Sequence, residues 1–422
     1  MRTVRLVEGA HRQAHSADHA QGHGRDPDAG HVSHFGITRR LRSARADVGF
    51  THSRPRSLLN TPSEPMLGSA VMPDDQHGDL TIDVRQYGAR GDGLHEDTDA
   101  IQQAFTAASQ GHVGTTVLLP PGTYKVSHTL TLADVTGLIV KGSGGRSKLQ
   151  WAGNAMDPLL MLASVQHSRF EDFSINTSGA APLAIGICML TAPGTLFVSR
   201  HNVFRQLNLD GTNGGLGRGV QIGDGVNANN DFHRFDDCNV SNYSDAAFTI
   251  ENTQVYEVLF DNCLAVGWGA APASAAVRAF GGNFHWRGGG AGSHTDADFV
   301  IWGSDSAFDS VQDATFEGSN RFVRTMGPSG AFLGMRLESC RWAGDALNGD
   351  GIAINYQYPG PLAIRGCHFD SDPTRELVIE WNPGGLPAVR NFMFQGNYVR
   401  AASLRFFGYS PTLEQCTTIV SE

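Results

Sequence analysis

Between Phe170 and Val399 the apolar positions follow a recurring phrase rather than a helical period. It runs apolar, two mostly polar residues, a small or apolar residue, any residue, apolar. Its copies are Phe170-x-x-Phe173-x-Ile175, Phe204-x-x-Leu207-x-Leu209, Phe235-x-x-Cys238-x-Val240 and Phe260-x-x-Cys263-x-Ala265. A degenerate Phe284-x-x-Arg287 follows, then Val311-x-x-Ala314-x-Phe316, Leu337-x-x-Cys340-x-Trp342, Ile364-x-x-Cys367-x-Phe369 and Phe394-x-x-Asn397-x-Val399. First positions lie 34, 31, 25, 24, 27, 26, 27 and 30 residues apart. A second phrase, apolar-x-apolar, falls between them: Ile187/Met189, Val220/Ile222, Phe248/Ile250, Val277/Ala279, Phe299/Ile301, Ile352/Ile354, Leu377/Ile379 and Leu404/Phe406, with an imperfect member near Phe322. Both phrases alternate with period two and are too short for helices, so they predict strands. Gly, Asn, Asp and Pro fill the gaps as turns require.

Two interleaved strand ladders with an irregular step predict a coiled parallel sheet. Each turn of chain lays a strand beside its copy from the previous turn, about 4.8 Å away. One turn cannot bury its apolar face, whereas a stack can. The Leu-x-x-Leu-x-Leu pattern of a leucine-rich repeat is absent, and the tight hairpin signals of a propeller are scarce. Cys238, Cys263, Cys340 and Cys367 share the fourth position of the first phrase. There they read as small inward side chains at a bend, and they are expected to be free. No Cys-x-x-Cys pair suggests zinc.

Composition changes the picture mainly at the N-terminus. Residues 1–72 hold ten Arg, no Lys and six acids, while the rest of the chain holds 22 bases against 36 acids. The first segment has seven His, no Trp or Tyr and no sustained apolar period. It reads as a disordered or spurious extension, with Met66 or Met72 as the alternative start. No signal-peptide pattern precedes it, so secretion or virion association is expected only if the start is misassigned. The acidic body argues against nucleic acid as a partner of the folded part. No apolar run reaches the roughly 18 residues of a membrane helix. The remaining divisions are 73–135, a cap with the first strands; 136–410, the repeat ladder; and 411–422, a C-terminal tail.

The segment before the ladder contains Tyr87-Gly88-Ala89-Arg90-Gly91-Asp92-Gly93, then Asp97-Thr98-Asp99-Ala100-Ile101-Gln102, then Pro120-Pro121-Gly122-Thr123-Tyr124. Asp97 is a predicted N-cap whose carboxylate accepts from the first helical N–H groups. Ile101, Ala104, Phe105 and Ala108 share one helical face, which would cover the open end of the stack. This run closely resembles the opening of the pectate-lyase-like superfamily, and within it the rhamnogalacturonase/epimerase-like group. The resemblance implies an all-β fold: a single-stranded right-handed parallel β-helix with an N-terminal capping helix. It also implies a polysaccharide or oligosaccharide partner and glycosidic-bond cleavage by a hydrolase or lyase. The alternative is a non-catalytic glycan-binding or structural β-helix, such as a phage tail component or adhesin. The Arg-Ile-Lys and Gly-His-Gly signatures of polygalacturonase-like members are absent. The nearest approach to their Asn-Thr-Asp is His294-Thr295-Asp296. No cofactor or metal site is indicated, and a bound Ca²⁺ has no support in the residues.

Two outward columns carry candidate chemistry. In the first phrase the residue after the leading apolar position runs Glu171, Arg205, Asp236, Asp261, His285, Gln312, Glu338, Arg365. Asp236 and Asp261 fall one rung apart, close to the roughly 5 Å of a retaining carboxyl pair. Repulsion between them would leave one protonated as an acid beside an ionised partner, and His285 would relay a proton. Past the second phrase come Glu251, Phe280, Trp302, Asn355, Glu380 and Phe407. Of these, Glu251, Phe280, Trp302 and Glu380 are the candidate sugar-binding strip, because aromatic faces and acids suit a sugar chain.

Overall fold

The computed structural model describes residues 80–408 and 416–420. Short stretches within them are left out: 112, 155–156, 178–182, 193–197, 213, 225–227, 303–307, 327–333, 345–350, 358–359 and 382–391. The expectation for residues 1–72 lies outside the described residues.

The fold is a right-handed parallel β-helix. Every strand pairing in the ladder is parallel, and each strand pairs with its counterpart one turn of chain away. The first phrase forms one ladder: Phe170, Phe204, Phe235, Phe260, Trp286, Val311, Leu337, Ile364 and Phe394 are successive register partners. All are buried. The rings of Phe170, Phe204 and Phe235 stack at 5.0 and 4.7 Å, close to the inter-strand spacing that sets them. The second phrase forms another inward ladder through Leu160, Ile187, Val220, Phe248, Val277, Phe299, Val323, Ile354 and Ile379. The core lies between these two rows.

The bend after each first-phrase strand has one cause. The third residue of the phrase sits in the left-handed region on nine successive turns: Asp172, Gln206, Asp237, Asn262, Gly288, Asp313, Ser339, Gly366 and Gly396, with φ between 50° and 68°. Asp, Asn and Gly tolerate this conformation best. It turns the chain so that the fourth residue points inward. Cys238, Cys263, Cys340 and Cys367 are accordingly buried and free. Burial raises the Cys263 thiol well above its ordinary range, with the Cys238 thiol beside it as the next cause.

The α-helix Thr98–Ser109 buries Ile101, Ala104, Phe105 and Ala108. Asp97 precedes it, but its carboxylate makes no cap bond to the helix. Instead it accepts from Arg90 N at 2.7 Å and Gly91 N at 3.2 Å. The first helical turn thereby ties back to the Gly-Asp-Gly turn. Gly91 has φ +64°, and a Cβ there would meet Tyr124 Cε1 at 2.9 Å. Tyr124 donates to Pro120 O at 2.9 Å, so the opening signatures are parts of one packed corner.

Candidate functional site

The first outward column does not take the register expected of it. Asp236 and Asp261 are direct partners on neighbouring strands, but the partner of Asp261 on the next is Arg287. His285 lies two residues earlier, opposite Leu259 and Ser310. Phe284 and Trp286 are both inward and buried, so the degenerate phrase allowed two registers differing by two residues, and Trp286 occupies the position opposite Phe260. His285 hydrogen-bonds Ser310 Oγ at 2.8 Å and lies 3.2 Å from Glu257 Oε2. Asp261 is not among its partners.

The two aspartates are set in arginines. Arg234 Nε pairs with Asp236, and Arg234 Nη2 lies 3.2 Å from Asp261. Arg205 reaches Asp236 at 3.5 Å, and Arg287 reaches Asp261 at 3.0 Å. The guanidinium side chains are 52%, 47% and 56% exposed for Arg205, Arg234 and Arg287. Three cations around two carboxylates offset the repulsion that acid–base use of the pair required. The half-exposed arginines surround two more shielded carboxylates, Asp236 at 10% and Asp261 at 24% exposure.

The outer face of the second ladder differs. Glu251, Phe280 and Trp302 occupy successive rungs, each following the inward partners Ile250, Ala279 and Ile301. Phe280 and Trp302 stack at 4.4 Å and 19°. The Arg278 guanidinium carbon lies 5.5 Å from the Trp302 ring centre, a cation–π contact. Asn355 and Glu380 belong to a different column. Ile354 pairs with Val323, itself the partner of Phe299 rather than Ile301. Asn355 therefore lies opposite Arg324, two residues before the Trp302 column, and donates to Glu380 Oε2 at 2.6 Å. The imperfect phrase near Phe322 concealed this shift. The side chain of Phe407 lies outside the described residues.

Three arginines and three carboxyls knit the face together. Arg218 holds Asp245 at 2.7 Å and Glu251 at 2.6 Å. Arg278 contacts the other oxygen of Asp245 at 2.9 Å. Asp296 lies 2.7 Å from Arg324 and 4.0 Å from Arg278. Arg278 and Asp296 side chains are only 10% and 4% exposed. Burial raises the Glu251 carboxyl above its ordinary range, and Arg218 opposes that rise without cancelling it. Ala275, Ala297 and Val300 form a small apolar cluster apart from the main core, against which Trp302 and Met326 pack.

Asp296 is held from below. In the same turn His294 and Asp298 point inward and are buried. His294 Nδ1 lies 2.7 Å from Asp298 Oδ1, and its Nε2 meets the buried Tyr243 hydroxyl. Ser319 donates to Asp298 at 2.6 Å. Burial raises both the Asp298 carboxyl and the Tyr243 hydroxyl. His294-Thr295-Asp296 is thus a structural turn that delivers one carboxylate to the outer face. Sequence reasoning missed Arg218, Asp245, Arg278 and Arg324. Arg278 was legible as the middle residue of a second phrase, a position that alternation sends outward. Among the described residues no group of three or more His, Cys, Asp or Glu side chains forms a metal-ligand set.

The chain folds as a parallel β-helix, and its N-terminal part matches a pectate-lyase-like family. Residues 81–263 match the family described as rhamnogalacturonase A/epimerase, pectate lyase-like. A 60-residue stretch is 47% identical to plasmin and fibronectin-binding protein A of Streptococcus pneumoniae, covering 14% of this chain and 8% of that protein. The chain thus spans under a tenth of that relative's length. Among solved structures, the A-module of mannuronan C-5 epimerase AlgE4 from Azotobacter vinelandii superposes with TM-score 0.52 at 15% identity, over 81% of this chain and all of that one. The catalytic domain of a GH87 α-1,3-glucanase in complex with nigerose gives 0.51 at 11%, over 83% and 69% of the two chains. The gp42 tailspike of Acinetobacter phage vb_AbaP_AS12 gives 0.50 at 12%, over 78% and 58%. These likenesses establish the fold.

Proposed function

We propose that this protein acts on polysaccharide, that the sugar chain lies along the Glu251–Phe280–Trp302 face, and that the reaction is hydrolysis of a glycosidic bond. The observation that carries this reading is the partly buried Glu251, its carboxyl raised by desolvation and one rung from an aromatic pair. A carboxyl that keeps its proton nearer neutrality suits a general acid. Glu251 gives its proton to the glycosidic oxygen as the bond to the anomeric carbon breaks. Water supplies hydroxide to that carbon, and its proton passes to a second carboxylate, for which Asp245 on the same guanidinium is placed. Phe280 and Trp302 offer apolar faces to the C–H faces of sugar rings. Elimination would need free cations at the developing negative charge, whereas Arg218, Arg278 and Arg324 are each engaged by a carboxylate.

The same engaged arginines favour a second reading, a β-helix that binds glycan without cutting it. Incubation with a panel of polysaccharides separates the readings. New reducing ends without ultraviolet-absorbing unsaturated ends support hydrolysis. Unsaturated ends would indicate a lyase. Retention without either product would indicate a binder.

A further inference from the structure

We infer that the glycan accepted by this face is uncharged, a neutral glycan rather than a polyuronate or sulfated chain. The inference rests on the reading that the Glu251–Trp302 face holds sugar, and it concerns the charge that face presents. Arg218, Arg278 and Arg324 are the described guanidinium groups knit into it, and Asp245, Glu251 and Asp296 are its carboxyls. Every one of these arginines is already in contact with a carboxylate: Arg218 with Asp245 and Glu251, Arg278 with Asp245, and Arg324 with Asp296. Arg278 spends a further N–H on Ala273 O at 3.1 Å, and Arg218 another on Gln221 Oε1 at 2.9 Å. An anionic substituent would have to break one of these pairs or lie beside carboxylates already there. Like charge placed beside partly desolvated carboxylates is repelled more strongly than in water, and breaking a partly buried pair leaves its partner charge less compensated.

The three guanidiniums are matched by three carboxyls, Asp245, Glu251 and Asp296, so the face offers no surplus positive charge. The chain beyond residue 72 is net acidic, with 36 acids against 22 bases, so its long-range field repels polyanions. What remains for a ligand is the half-buried Phe280–Trp302 stack, with amide and carboxyl oxygens around it. Those are partners for hydroxyl groups and C–H faces.

The test is affinity electrophoresis of the full chain through gels containing neutral glycans (soluble α- and β-glucans, a galactan) or polyanions (polygalacturonate, alginate, chondroitin sulfate), at low salt and at 0.5 M NaCl. The expected result is retardation by at least one neutral glycan, unchanged by salt and reduced about tenfold or more by Trp302→Ala, with no retardation by any polyanion. A second variant tests the charge argument directly. Asp245→Asn, alone and with Glu251→Gln, uncovers Arg218 and Arg278 and is expected to gain a salt-sensitive affinity for polygalacturonate. Wild-type retardation by a polyanion that weakens with salt overturns the inference while leaving the carbohydrate reading standing. Retardation by no glycan at all overturns both.

Discussion

The two outer faces of the coil are made by the same device, alternate residues of stacked parallel strands, yet they have different chemistry. On the first face acids and half-exposed arginines share one column, from Glu171 and Arg205 through Asp236, Asp261 and Arg287, with Asp236 itself only 10% exposed. Water reaches the guanidinium end of each pair, and ion pairs with one end at the surface contribute about 0–1 kcal/mol. On the second face a turn carrying Asp296 and Ala297 packs against the sheet. The arginine at its centre is 10% exposed, and a carboxyl at its edge is raised by burial. Charge pattern alone made the first face look catalytic. What favours the proposed second site is the carboxyl that desolvation raises there, Glu251 beside the aromatic pair.

The comparison is broken most severely through the core both faces share. Phe260 stacks among Phe235, Phe248 and Trp286, and Phe260→Ala is expected to cost about 3–5 kcal/mol, read by denaturant unfolding. Next is the contrast between arginines. Arg278→Ala removes a shielded partner of Asp245, which keeps Arg218, and is expected to cost about 1.5–3 kcal/mol, the range for a hydrogen bond to a charged group, whereas Arg205→Ala, whose side chain is half exposed, is expected to stay within about 1 kcal/mol. Equal losses would show that the two faces are not differently solvated.

A pH-dependent effect belongs to the corner before the first face. Burial pushes His233 down to about 3, so it stays neutral in the fold and takes up a proton near its ordinary value when unfolded. Its contribution is complete above about pH 6.5 and is lost as pH falls toward 3, at about 1.4 kcal/mol per unit. The buried Asp309 has a raised carboxyl and acts in the opposite sense, gaining stability as pH falls, so the comparison is wild type against His233→Asn. The variant is expected to lose less stability on acidification. Last, Cys238, Cys263, Cys340 and Cys367 are expected to label slowly in the native state and rapidly once unfolded, because burial blocks the reagent.

Most of the fold was legible because stacking forces a repeating inward pattern. Phe170, Phe204, Phe235 and Phe260 had to recur, whatever the loops between them did. The left-handed bends were also written in the chain, as the Asp, Asn, Ser, Gln and Gly at the third position of the first phrase. The misread residues cluster where the pattern admits a two-residue slip. Phe284 and Trp286 both fit inward, which moved His285 out of the aspartate column, and the weak rung near Phe322 moved Asn355 and Glu380 away from Trp302. The Asp97 side chain went to the Gly91 turn instead of the helix, a choice set by the Tyr124 corner rather than by capping preference. The arginine–carboxylate network was illegible as a unit because its members come from separate turns: Arg218, Asp245, Arg278, Asp296 and Arg324 meet only after register is fixed.

The central claim is that the chemistry belongs to the second face. The direct measurement is release of reducing ends from a cleaved glycan by wild type, Glu251→Gln and Asp236→Asn, each shown to be folded by its melting transition. Glu251→Gln is expected to lower turnover by about 10²–10⁴-fold, the usual contribution of a general acid, while Asp236→Asn keeps turnover near wild type. A folded Glu251→Gln protein with undiminished turnover, or a collapse of turnover in Asp236→Asn, would contradict the account and return the site to the aspartate column.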